Sequence, residues 1–226
     1  MKYQGQNEYD HEGRSPGQGV LVCNLGTPDQ PRSRELRRYL KEFLSDPRVV
    51  EFPRLLWWLI LRLIILPIRP ARSARLYKSI WSDEGSPLLA HSTKQTEGIR
   101  KRLEEKMSKP IPVVLGMRYG SPSIMSAIDE LTSHNVRSIV VLPLYPQYCG
   151  ATTGSTFDAI ATQMMRTRWV PELHFIGGYH SSPDYIDALA GSIQTHMDMH
   201  GQPDKFLFSY HGTPYKYLAK GDPYHC

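Results

Sequence analysis

Cysteine is scarce in this chain: Cys23, Cys149 and Cys226 are its only three, widely separated, and no C-x-x-C pair occurs. A disulfide framework and an all-cysteine metal site are therefore disfavoured, and a reducing compartment is the default. No G-x-G-x-x-G or P-loop pattern is present, so nucleotide binding has no support. Of the nine histidines none forms an H-E-x-x-H pair, which leaves a hydrolytic zinc site unsupported as well. Charge of one sign is not in large excess either: 27 Lys and Arg face 22 Asp and Glu, a net +5 with His neutral. That balance suits an acidic ligand or an anionic membrane surface and is too small to argue for nucleic acid. No apolar run reaches the roughly 20 residues of a membrane-spanning helix. Residues 1–18 are polar and Gly-rich, lack the apolar core of a signal peptide, and read as a disordered arm.

What is present is an ordinary globular composition, 40% apolar and 22% charged over 226 residues. That length holds one large α/β domain, or one complete lobe and part of another. Five short apolar runs, several rich in Val and Ile, read as strands: 19–25, 112–118, 138–145, 172–177 and 205–210. Helical spacing lies between them. Leu36, Tyr39, Leu40, Phe43 and Leu44 form one apolar stripe, and Ile124, Ile128 and Leu131 repeat the pattern. So do Phe157, Ile160 and Met164, and then Tyr185, Leu189 and Ile193. Strand alternating with helix predicts an α/β fold, a Rossmann-type parallel sheet covered by helices, with ligands at the carboxyl ends of the strands. A composition change at 166–171 places a lobe boundary there, giving a first lobe over 19–166 and the beginning of a second over 167–226. Since a lobe of two strands would leave apolar edges and faces open, the chain is expected to be incomplete.

Residues 55–68 are apolar all round but number only 14 and include Arg62. They read either as a buried core helix or as an exposed apolar lip that meets a membrane or an apolar ligand. Paired Trp57 and Trp58, with Arg62, Arg69, Arg72, Arg75 and Lys78 alongside, favour the lip. Cations beside an apolar wall suit a ligand with a greasy body and carboxylate edges, or anionic headgroups. Other candidates follow strands. Asn24-Leu25-Gly26-Thr27-Pro28 is a turn in which Gly permits close backbone approach. Thr152-Thr153-Gly154-Ser155 is either an anion cradle or a helix cap. Tyr77 and Trp81, Arg118-Tyr119 and Tyr145-Pro146-Gln147-Tyr148 together would make a flat apolar slot with a charge at its rim, suited to a large planar acid. His211 follows the last strand-like run and is framed by Gly212 and Pro214. It reads as a structural residue, a divalent-metal ligand, or a base with a pKa near neutrality.

The sequence resembles the ferrochelatase family at Leu21-Val22-Cys23-Asn24-Leu25-Gly26-Thr27-Pro28 and at Tyr77-Lys78-Ser79-Ile80-Trp81 with Gly85-Ser86-Pro87-Leu88. Further matches are Gly116-Met117-Arg118-Tyr119-Gly120 and Leu142-Pro143-Leu144-Tyr145-Pro146-Gln147-Tyr148 with Thr152-Thr153-Gly154-Ser155. The last are Ser209-Tyr210-His211-Gly212-Thr213-Pro214 and Gly221-Asp222-Pro223-Tyr224. The resemblance implies a chelatase-like fold of two similar lobes around a porphyrin cleft. It also implies a lyase of haem biosynthesis that inserts Fe²⁺ into protoporphyrin IX with release of two protons.

By the same resemblance, His211 is the catalytic cleft histidine, described either as an iron ligand or as the proton acceptor. Leu25, Tyr77, Arg118, Tyr145, Thr153 and Ser155 are expected to bind porphyrin, and 55–68 corresponds to the lip at the cleft mouth. The glutamate that the family sets opposite this His is expected beyond Cys226. No organic cofactor is implied, Fe²⁺ being a substrate, and no iron–sulfur cluster, because Gly150-Ala151 stands where animal members have Cys-Ser. The expected setting is cytoplasmic, with peripheral contact at the inner membrane surface through the lip. Two alternatives stay open: a non-catalytic porphyrin- or haem-binding protein of the same fold, and a coproporphyrin ferrochelatase. A cobalt chelatase of more carboxylated tetrapyrroles fits the apolar lip poorly.

Overall fold

The computed structural model describes residues 3–5 and 16–226. Most of the arm expected over 1–18 lies outside the described residues. Within them, Gln4 bridges Thr167 in parallel fashion.

Four parallel strands form one sheet: β1 (Gly17–Thr27), β2 (Val113–Gly120), β3 (Val136–Pro143) and β4 (Glu172–Phe175), in the order β2-β1-β3-β4. β1 is central because Val20, Leu21, Val22 and Cys23 are apolar in succession and are buried on both faces. Leu21 and Cys23 meet Ile124, Ile128, Leu131 and Ile160 on one side of the sheet. On the other side Val20 and Val22 meet Ile99 and Leu103. The first side is covered by α5 (Ile124–Ser133) and α6 (Ser155–Met164), the second by α4 (Pro87–Lys106).

Above the strand ends lies α1 (Ser33–Ser45), whose expected stripe is realised: Leu36, Tyr39, Leu40 and Leu44 are buried. Burial of each such leucine stabilises the packing by about 1.5–3 kcal/mol. A long helical stretch follows, made of α2 (Arg54–Ile60), a π-helical turn (Leu61–Ile65) and α3 (Leu66–Ile80). Leu61 and Leu66 point inward, while Leu55 is 78% and Leu63 70% exposed. Residues 55–68 thus pack one face onto the cluster around Tyr39 and Tyr119 and leave the other face apolar and exposed. Among the described residues no helix is long and apolar enough to cross a membrane.

Two expectations are corrected. β4 lies past the boundary drawn at 166–171, yet it pairs with β3 from Ser138↔Glu172 to Val141↔Phe175, so the first sheet extends through Phe175. Residues 205–210 form no strand and are exposed, Leu207 at 94%. Strand character requires a neighbouring ladder to take up the backbone groups, and alternation alone does not supply one. The helix between them, α7 (Pro183–His200), has no buried residue, and its Leu189 and Ile193 are exposed. The chain closes with α8 (Tyr215–Ala219) and a short 3₁₀ turn (Pro223–His225).

Candidate active site at the carboxyl ends of the strands

β1 ends at a point of close backbone contact. Gly26 has φ +103° and pairs with Tyr119, whose carbonyl oxygen would lie 1.7 Å from any Cβ added at that position. Only glycine fits. The contact lets Leu25 emerge beside Tyr119, where it packs half-buried against the cluster of Tyr39, Leu40 and Leu66. Tyr39 donates to the Gly26 carbonyl at 3.3 Å and stacks on Phe43, whose ring meets that of Tyr119 edge-on at 5.1 Å. Tyr77, reaching in from α3, sets its ring 6.5 Å from Tyr39. Burial raises the Tyr77 phenol, against hydrogen bonding with Tyr39 and the charge of Arg69. Of the aromatics expected in a slot, Tyr77 and Tyr119 enter a packed cluster with Tyr39 and Phe43, in which Tyr119 is fully buried.

Beneath it is a polar knot that sequence reasoning missed. Asp46, just past α1, is nearly sealed, its side chain 3% exposed, and it gathers four donors. Ser155 Oγ donates to Asp46 Oδ2 at 2.5 Å, Tyr119 Oη at 2.8 Å and Arg118 Nη2 at 2.5 Å. The Arg48 backbone N–H donates to Oδ1 at 2.7 Å. Burial works to raise the Asp46 carboxyl; the bonds from Ser155, Tyr119 and Arg48 and the charge of Arg118 outweigh it and hold the carboxyl below its usual range. Arg118 Nε also donates to Ser155, to its carbonyl at 2.9 Å and its hydroxyl at 2.7 Å. Arg118, expected as a charge at the rim of a slot, is ion-paired with Asp46 and its side chain is 18% exposed. The one local signal for Asp46 was its place before Pro47 at a helix end, which reads only as a turn.

Thr152-Thr153-Gly154-Ser155 is neither an open anion cradle nor a side-chain cap. Residues Gly150–Gly154 form a π-helical turn, and no side chain caps α6. Ser155 is fully buried in the Asp46 knot, and Thr153 is buried with its hydroxyl unbonded among the described residues. Tyr145 lies just past β3, its hydroxyl buried and also unbonded; burial pushes its phenol well up. Beside the turn, Arg48 grips Asp158 through Nε at 2.5 Å and Nη2 at 3.0 Å.

His211 is not brought to this cluster. It is exposed in the loop between 205–210 and α8. Beyond it the chain docks back: Lys216 and Lys220 reach Glu51, and Asp222 accepts from the Gly150 N–H at 2.7 Å. Among the described residues no group of three or more His, Cys, Asp or Glu could hold a metal ion. One histidine pair at helical spacing, missed from the sequence, is His196 and His200 on α7, with ring centroids 4.2 Å apart. Two ligands are fewer than a structural metal site uses.

A strand order of β2-β1-β3-β4 puts the topological switch between β1 and β3, next to Leu25 and Tyr145, where doubly wound α/β proteins bind ligands. The class is thus a doubly wound parallel α/β unit. The family model described as Ferrochelatase matches residues 17–226, and the chain belongs to the ferrochelatase family. It is 54% identical over its whole length to the ferrochelatase of Thioalkalivibrio sulfidiphilus, covering 61% of that protein. The ferrochelatases of Pseudoalteromonas atlantica and Marinobacter nauticus are 51% and 52% identical, again over the whole chain, with 62% and 61% of each relative covered. The chain spans about three-fifths of the length of these curated relatives.

Proposed function

We propose that this chain supplies the porphyrin-holding part of a ferrochelatase that inserts Fe²⁺ into protoporphyrin IX. The observation that carries the proposal is the gathering of Leu25, Tyr77, Tyr119 and Arg118 at the carboxyl ends of β1 and β2 in a chain of this family. A porphyrin keeps two N–H protons in its plane, so metal entry requires a bent ring and a proton acceptor. A rigid aromatic wall that fits the bent macrocycle better than the flat one lowers the barrier. Asp46 and its four donors make such a wall stiff from beneath. His211 is the proton acceptor or transient iron ligand in this reading, its neutral ring nitrogen suited to either role. Thr153 and Ser155 act from below the wall in this reading, as supports and not as porphyrin contacts.

Fe²⁺ is substrate, and no organic cofactor or iron–sulfur cluster is proposed. The lip at 55–68, with Arg62 stacked 4.8 Å over Trp58, is proposed to touch an anionic membrane surface from the cytoplasmic side. The test is porphyrin metallation, with Zn²⁺ as surrogate and fluorescence as readout, comparing this chain with the longer Marinobacter nauticus relative. Metallation by the relative that is lost in its variant with Ala at the position matching His211 supports the reading; undiminished metallation contradicts it. A second reading, porphyrin binding without metal insertion, is favoured by the exposed, unclustered setting of His211. It predicts binding by this chain and no metallation.

A further inference from the structure

We propose that His196 and His200 form a surface site for a divalent first-row transition metal ion at the carboxyl end of α7, apart from the strand-end cluster and independent of the porphyrin reading. The two residues stand four apart on a helix, so their side chains are neighbours on one face. α7 has no buried residue, and both histidines are exposed, with ring centroids 4.2 Å apart and planes inclined by 22°. Two nitrogens bound to one ion at about 2.0–2.1 Å lie roughly 3 Å from each other. Exposed rings this close reach that spacing by side-chain rotation, with the backbone already in place.

One ring is already oriented. His200 Nδ1 lies 3.0 Å from the His196 carbonyl oxygen, and a carbonyl only accepts, so Nδ1 carries the proton and donates. The neutral ring then keeps its lone pair on Nε2. A backbone carbonyl holding the second ring nitrogen is the arrangement that stands behind most metal-bound histidines. The position adds to the attraction: His200 is the last residue of an 18-residue helix, where the helix dipole favours a cation. Asp198, the acid between the two in sequence, accepts from Gln194 Nε2 at 2.7 Å and stays out of the ligand set. Imidazole pairs suit Cu²⁺, Ni²⁺ and Zn²⁺, and not Mg²⁺ or Ca²⁺, which take oxygen ligands. Two protein ligands leave the other positions to water, so the ion exchanges and does not hold the fold.

The test titrates the 226-residue chain with Zn²⁺ alone at about pH 7.5, following histidine ring and backbone amide NMR signals. Shifts are expected at 196–201, saturating with one ion, and Mg²⁺ is expected to leave those signals unmoved. His196→Ala and His200→Ala are each expected to weaken Zn²⁺ binding by at least the roughly tenfold that even an outer-shell change causes. His196→Ala combined with Met199→His keeps the number of histidines but sets the pair side by side in sequence, where side chains do not face each other. Met199 is 68% exposed, so the double variant is expected to fold, with β1–β3 amide shifts unchanged, and to bind Zn²⁺ no better than His196→Ala alone. Zn²⁺ shifts centred away from α7, an affinity unchanged in His196→Ala or His200→Ala, full binding by the double variant, or an equal response to Mg²⁺ overturns the inference.

Discussion

Arg118 and His211 each follow a run of apolar, strand-like residues, and the structure holds them in opposite ways. Arg118 lies near the end of β2, a strand paired with the central β1 from Val20↔Val113 to Thr27↔Gly120, and its side chain is locked by Asp46 and Ser155. His211 ends residues 205–210, which pair with nothing among the described residues and leave Phe206, Leu207 and Phe208 exposed. A side chain takes its direction from the backbone beneath it. Where a ladder and a buried network fix that backbone, the direction is set in this chain; where they do not, the residue type alone is set.

The contrast can be broken experimentally. Asp46→Ala strips four donors of their acceptor and leaves Arg118 unpaired, so urea unfolding should show a loss of about 3 kcal/mol. A loss under about 0.5 kcal/mol, the size of a surface change, would mean the knot does not hold the site together.

Acidification acts on the same group. The Asp46 carboxyl is held below its usual range when folded, so its contribution is fully present above the unfolded pKa of about 3.9 and is lost as pH falls through the lower folded value. The stability gap between wild type and Asp46→Asn should therefore be widest at neutral pH and narrow below about pH 4. A gap that widens on acidification would reverse the assignment.

A smaller effect of opposite sign is expected at Thr153, whose buried hydroxyl lacks a partner. Thr153→Val keeps the shape and removes the unbonded group, and should be neutral or stabilising by up to about 1 kcal/mol in thermal unfolding. A clear loss would show that the hydroxyl is bonded in solution. The least effect belongs to the other side of the comparison: His211→Ala should change stability by no more than about 0.5 kcal/mol. A larger loss would place His211 in a packed environment.

The four strands of the sheet were legible because a central parallel strand must be apolar on both faces, and the runs around Val20, Val113 and Val140 say so locally. The stripe of α1 was legible by its spacing. Asp46 was not. It is one acid among 22, and what distinguishes it is closure with Arg118 and Ser155, which lie 72 and 109 residues away. Ser155 misled for the same reason, since nearby residues allowed a cap or an anion cradle while a distant carboxylate claimed the hydroxyl. Residues 205–210 failed in the other direction: their pattern fits a strand, but no neighbouring strand pairs with them among the described residues.

The most direct measurement is a map of backbone amide NMR shifts on titrating the chain with metal-free protoporphyrin. The account predicts changes concentrated at Leu25–Thr27, Arg118–Gly120 and Tyr145–Tyr148, with Tyr77 on α3, and little change in β4. Shifts confined to β4 and α7, with the strand ends of β1 and β2 silent, would contradict it.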